Sequence, residues 1–185
     1  MIEQVVRDAE ERMKKAVAAT QHEFTTVRTG RASASVLDRV SVDYYGTPTP
    51  VNQVANITSP EPQLLVVHPW DKSVVDGVLK AIQAADLGLN PSTDGTVIRL
   101  PFPPLNEERR LELAKVVRRM AEEGRVAVRN IRRDANEHLK AEEKNHEISR
   151  DEWERAQERV QKLTDSYVKE IDELLERKEK EIMEV

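Results

Sequence analysis

All nine prolines of this 185-residue chain lie between Pro48 and Pro104, and the stretches on either side contain none. Proline removes a backbone donor and clashes with the preceding helical turn, so it suits turns and sheet edges and is excluded from helix interiors. Two long flanks are therefore free to be helical, and the middle is not. Six glycines leave little flexible linker between them.

The flanks carry helical periodicity. Ile2, Val5, Ala9, Met13, Val17, Thr20, Phe24 and Val27 recur in steps of three and four, which predicts a helix over 1–28 with one apolar face, stopped at Thr29-Gly30. Beyond Pro101-Phe-Pro-Pro104, Asn106 is a good N-cap, and Glu107 and Glu108 suit the positive end of a helix dipole. That helix extends to about Asn145 with its stripe at Leu113, Val117, Met120, Gly124, Val128, Ile131, Ala135 and Leu139. Ser149-Arg-Asp-Glu152 has the form of a capping box, opening a last helix whose stripe runs from Trp153 through Val160 and Ile171 to Ile182.

The middle reads differently. Val40, Val42 and Tyr44 alternate with polar neighbours and are closed by Gly46-Thr-Pro48, a strand and its turn. Pro50–Ile57 and Leu64–His68 read as further strands, Ser73–Ala85 as a short amphipathic helix, and Thr93-Asp-Gly-Thr96 as a turn before strand Val97–Leu100. Three long helices with one stripe each bury those stripes most economically against one another. The expected class is α+β with two domains. A long antiparallel three-helix bundle comes from 1–29 plus 105–185, with a small α/β domain, 30–104, inserted between helices one and two. Two chain crossings, Thr29-Gly30-Arg31 and Pro104-Leu105-Asn106, tie the domains together and are the expected hinge.

Charge points to the partner. The formal net charge is −5, yet residues 109–133 hold nine Lys or Arg against three Glu, while 134–185 hold ten basic and seventeen acidic residues. Local potential decides where a polyanion docks. At about 100° per residue, Arg118, Arg125, Arg129 and Arg132 fall within about 60° of one another beside the apolar seam. Helical neighbours lie three and four positions apart. By that measure Arg118, Arg119 and Arg133 have Glu122, Glu123 and Glu137, whereas Arg129 and Arg132 have no acidic neighbour on their own helix. Arg118 and Arg125, close to Glu122, fit equally well a structural role covering the seam. Arg129 and Arg132 favour an external anion, because guanidinium grips phosphate with two parallel hydrogen bonds. Arg28, Arg31 and Arg110 are weaker candidates, each also explained by the nearest helix end or acid.

Other classes are poorly supported. With no Cys, disulfides and thiolate metal sites are excluded and a reducing cytosol is the natural compartment. No apolar run approaches the roughly 20 residues of a membrane span. Glu143-x-x-His146 occurs once, where a di-iron site needs two such motifs, and no glycine-rich phosphate loop exists. An enzyme would need a convergent polar pocket that the sequence does not supply. A helical adaptor whose arginines meet an acidic protein is the competing reading.

Arg28-Thr-Gly-Arg-Ala32, Tyr44-Tyr-Gly46, Asp86-Leu-Gly-Leu-Asn-Pro91, Pro103-Pro-Leu-Asn-Glu-Glu-Arg-Arg110, Val128-Arg-Asn-Ile-Arg-Arg133 and Gln161-Lys-Leu-Thr-Asp165 together resemble the ribosome recycling factors of bacteria, in order and spacing, over nearly the whole chain. Asn106 stands where the family commonly has Thr, and both residues cap helices. The resemblance implies an L-shaped monomer. It implies a bundle on large-subunit ribosomal RNA, with Arg132 and Arg129 in contact positions and Arg133, Arg125, Arg118, Arg110, Arg28 and Arg31 as further RNA-binding candidates. It implies elongation factor G with GTP as the partner that drives subunit splitting in the cytoplasm, and it implies no catalytic residue, metal, cofactor or small-molecule substrate.

Overall fold

The structure is a computed structural model that describes residues 1–27 and 29–184. Arg28, one of the candidate RNA-binding residues, lies outside the described residues. The elements in chain order are α1 Ile2–Thr25, β1 Ser41–Tyr44, β2 Thr47–Pro50, β3 Ala55–Glu61, β4 Leu64–Pro69, α2 Val75–Ala84, β5 Ser92–Thr93, β6 Ile98–Pro101, α3 Glu107–Lys144 and α4 Arg150–Met183. The chain forms two compact units, one holding α1, α3 and α4 and the other spanning Thr29–Asn106.

The helical unit is an antiparallel bundle. Arg12 meets Asp134 while Thr20 faces Gly124, so α1 and α3 run in opposite directions. Arg118 meets Glu179 and Arg125 meets Asp172, so α4 also opposes α3. The third side of the bundle is closed where Arg159 of α4 binds both carboxylate oxygens of Glu3 on α1. Met13, Val117, Val128, Leu139, Val160, Ile171 and Ile182 are completely buried along the seam. Each such side chain contributes roughly 1.5–3 kcal/mol by leaving water, which is what holds three polar-faced helices together.

The ends of these helices follow local chemistry. Ser149 and Glu152 form the reciprocal capping box of α4, each side chain bonding the other's backbone N–H. No glycine ends α3. His146 takes the left-handed conformation at φ 57°, and the N–H of Glu147 reaches back to the Glu142 carbonyl at 2.9 Å, the six-to-one closure of a Schellman stop. α1 stops at Thr25, ahead of the expected Arg28, and Gly30 adopts φ 79° five residues later.

The other unit is a four-stranded antiparallel sheet of order β3-β4-β6-β5, plus the hairpin β1-β2. Tyr45 and Gly46, at φ 50° and 84°, form the two-residue turn of that hairpin, the twist-matched type that needs two left-handed residues. Leu65, Val67, Val78, Ile82, Ile98 and Leu100 build the core, with α2 covering it. Pro50–Ile57 is not one strand. Val51–Gln53 forms a tight helical turn, and strand pairing starts only at Ala55. Val51 is completely buried by that turn, and burial outweighs β-branched propensity. Of the two adjacent tyrosines, Tyr44 packs on the core and Tyr45 stays exposed, donating to Asp71 at 2.8 Å.

Asp94 shapes the β5–β6 turn. Its carboxylate accepts the N–H groups of Val97 at 3.0 Å and Thr96 at 2.9 Å, and Arg99 stands 3.3 Å away. These bonds, led by the one from Val97, hold its pKa down at about 2 against an ordinary 3.8. A depressed carboxylate stabilises the fold above its ordinary pKa, and that stabilisation is lost as pH falls toward the folded value. Between about pH 4 and pH 2, amide exchange in the β5–β6 turn of the native protein should rise. The Asp94→Asn variant should show a flatter acid response over the same window, measured by NMR.

Candidate nucleic-acid interface

α3 presents one basic edge, and its arginines divide into satisfied and available groups. Arg125 belongs to the bundle. Only 18% of its side chain is exposed, and it binds Asp172 at 2.7 Å and Glu122 at 3.0 Å. Burial pulls its pKa down, but the bonds to Asp172 and Glu122 outweigh that and leave it raised. Arg118, mostly exposed, is clasped by Glu179 at 2.9 Å. Its expected partner Glu122 is engaged elsewhere, because Glu122 uses one oxygen for Arg125 and the other for Arg129 at 3.2 Å.

That last contact corrects the sequence reading of Arg129. Glu122 lies seven positions earlier, two helical turns away, beyond the neighbour spacing of a helix. Two long side chains laid along the axis close the gap. The carboxylate is held below its usual range by Arg125 first and Arg129 second. Arg129 still shows 40% of its side chain to solvent, where an exposed ion pair contributes only about 0–1 kcal/mol. A phosphate that meets the guanidinium bidentately competes with that easily.

Arg132 stands apart. Among the described residues its single hydrogen bond goes to a neutral acceptor, the Gln161 amide oxygen, at 3.4 Å. Gln161 turns that oxygen toward Arg132 because its amide nitrogen is committed to Asp165 at 2.8 Å. The guanidinium is thus aimed by a neighbouring helix without being neutralised, and among the described residues four of its five N–H donors have no protein partner. Gln161 was not singled out as a site residue, since its role depends on the register of α4 against α3. Arg133 next to it is exposed and makes no ion pair with Glu137 among the described residues.

The remaining candidates are separate from this edge. Arg110 is half-buried in the first turns of α3, with its Nε buried and without a partner among the described residues. Arg31 is exposed in the α/β unit. Among the described residues no group of three His, Asp or Glu side chains forms a metal site, and no helix is long and apolar enough to cross a membrane.

Two solved structures share this architecture over the whole chain. One, described as the solution structure of the ribosome recycling factor, superposes with a TM-score of 0.77 at 46% identity and is itself covered to 98%. The other is the T. thermophilus ribosome recycling factor in models that also contain E. coli elongation factor G on the E. coli post-termination complex. It has a TM-score of 0.66, 42% identity and full coverage of both chains. A three-helix bundle interrupted by an α/β unit is thus the architecture of a translation factor. Relatives named ribosome-recycling factor match end to end, at 57% identity in Desulforamulus reducens, 56% in Heliobacterium modesticaldum and 59% in Bacillus thuringiensis, with 100% of each chain covered. With the family's own pattern matching residues 20–183, the chain belongs to the ribosome recycling factor family.

Proposed function

We propose that this chain binds the large subunit of the post-termination ribosome and, with elongation factor G and GTP, separates the subunits for a new round of translation. The observation that carries the reading is end-to-end similarity to a factor placed with elongation factor G on the post-termination complex. The chain acts in the cytoplasm and catalyses no bond making or breaking itself. Its contribution is binding and leverage.

Ribosomal RNA docks on the α3 edge, with Arg132 as the leading contact, then Arg129 and Arg133. Arg125 and Arg118 support the edge through Asp172 and Glu179 and add to its potential. Arg110 and Arg31 are secondary contacts. The bundle 1–29 plus 105–185 anchors, and the insert 30–104 is pushed. Thr29-Gly30-Arg31 and Pro104-Leu105-Asn106 serve as the hinge, a role supported by the left-handed φ of Gly30, where an added Cβ would stand 3.4 Å from the Leu105 side chain.

The test is co-sedimentation of the purified protein with isolated large subunits. The expected result is saturable binding in low salt that falls steeply with ionic strength, as contacts to phosphate require. Binding to a protein from ribosome-free extract, with none to large subunits, would establish the adaptor reading instead.

A further inference from the structure

We infer that the outermost row of α3, made by Arg119, Arg133 and Lys140, is a second line of contacts to RNA phosphate, one step around the helix from Arg132. The inference rests on the reading of the bundle as an anchor on ribosomal RNA and adds residues and a ligand shape to it.

Contacts between the helices fix which residues make the row. Arg118, Arg125 and Arg132, seven residues apart, all meet α4, through Glu179, Asp172 and Gln161. The residues before them, Val117, Gly124 and Ile131, are buried. Those after them, Arg119, Val126 and Arg133, are turned about 100° further from the core. All three are exposed, as is Lys140 at the next repeat.

Spacing along one helix predicts that Glu123 and Glu137 neutralise Arg119 and Arg133. Neither pair forms. Among the described residues Arg119, Arg133 and Lys140 make no ion pair at all. Both expected pairs place the base ahead of the acid, the weaker order for residues four apart. The row carries no acid from Arg119 to Lys140, and Val126 between the two arginines is uncharged and 44% exposed. From Arg119 to Lys140 the helix rises about 32 Å. Cations spread over that length fit a continuous polyanionic backbone, whereas a protein carboxylate offers one charge at one point. Arg132 on the α4 side and Arg133 on the crest are consecutive and splayed by about 100°. An RNA that meets both therefore bends over the helix instead of running only along its α4 edge.

The test has two parts, both with the intact protein and isolated large subunits. Arg119→Ala should weaken binding roughly tenfold and lower the salt slope by about 0.7–0.9, as for one lost phosphate contact. Its thermal midpoint should stay unchanged, because Arg119 holds no partner in the bundle, and Arg119→Lys should keep most of the affinity. The loss should add to that of Arg132→Ala, which lies about 20 Å away along α3. The chain has no cysteine, so Val126→Cys supplies a single thiol for an iron chelate. Hydroxyl radicals released there should cut ribosomal RNA in the complex. Unweakened binding by Arg119→Ala, or binding of the chelate-labelled protein without RNA cuts, would put the crest in solvent and overturn the row, leaving the anchor at Arg132 in place. No large-subunit binding by the wild type would remove the anchor and the row together.

Discussion

Replacing Arg132 with Ala is expected to weaken large-subunit binding by roughly 10- to 100-fold, the worth of a charge-assisted contact of about 1.5–3 kcal/mol. The loss should fall with rising salt, because the slope of log affinity against log salt drops by about 0.7–0.9 for each phosphate contact removed. Arg132 is chosen over its neighbours for a reason visible in its surroundings. Its one hydrogen-bond partner among the described residues is the Gln161 amide, 3.4 Å away, so little intramolecular binding must be given up when phosphate arrives. Arg125, held by Asp172 and Glu122, is the opposite case. Its Ala variant should lower the thermal midpoint of the bundle and affect RNA binding mainly through that loss of stability. Gln161→Glu is the sharper companion. It keeps Arg132 and its geometry but pairs it with a carboxylate, so it should reproduce much of the Arg132→Ala defect. Filter binding across a salt series decides the matter. Unchanged affinity and slope for Arg132→Ala would remove this residue from the interface. A defect in Arg132→Ala without one in Gln161→Glu would show that only the presence of the guanidinium matters, and not its freedom from a carboxylate.

The helices were legible because their signals are local. Of the eight stripe residues expected in α3, Leu113, Val117, Gly124, Val128, Ile131, Ala135 and Leu139 are buried and Met120 is half-buried, and Ser149 with Glu152 caps α4 as its spacing announces. The α/β unit was legible in outline only. β2 is Thr-Pro-Thr-Pro, a composition that a central strand would reject, and it survives because it pairs on one side only, with β1. The turn at Val51–Gln53 was hidden because nothing in three residues reveals which core will bury Val51. The arginine edge shows the same limit. Spacing of three and four placed the residues on one strip, but the Arg129–Glu122 contact spans seven positions and Arg132–Gln161 joins two helices. Glu142 gave no signal at all. In a run of Glu, Lys and Asn it looks like solvated surface, yet in the bundle it is only 7% exposed.

The substitution with the largest effect on the fold is expected at Gly124, where α1 and α4 both press on α3. A Cβ built there would overlap Oγ1 of Thr20 and lie 3.2 Å from Cδ1 of Ile171 and 3.3 Å from Cβ of Thr20. Two effects oppose each other in Gly124→Ala. Helix propensity favours Ala by about 1 kcal/mol, whereas overpacking a close contact costs about 1–3 kcal/mol. The clash wins because Thr20 cannot simply turn away. It is buried, and its hydroxyl is bonded to the Ala16 carbonyl at 3.0 Å, so rotation would strand a polar group. Gly124→Val adds two methyl groups with no room for either, and its cost should reach about 3 kcal/mol, lowering the bundle's thermal midpoint by roughly 10 °C or more. The sign of the coupling identifies the cause. Removing the hydroxyl in Thr20→Ala should relieve most of the Gly124→Ala penalty, so that the double variant is at least as stable as Thr20→Ala alone and keeps the propensity gain. Additive losses in the two single variants, measured by thermal unfolding followed through helix ellipticity, would show that the cost at Gly124 does not come from the close approach of α1. A bundle splayed at this point would also shift the α3 edge against α4 and with it the Gln161 that aims Arg132. Gly124→Val is therefore expected to weaken large-subunit binding although residue 124 is buried and touches no RNA.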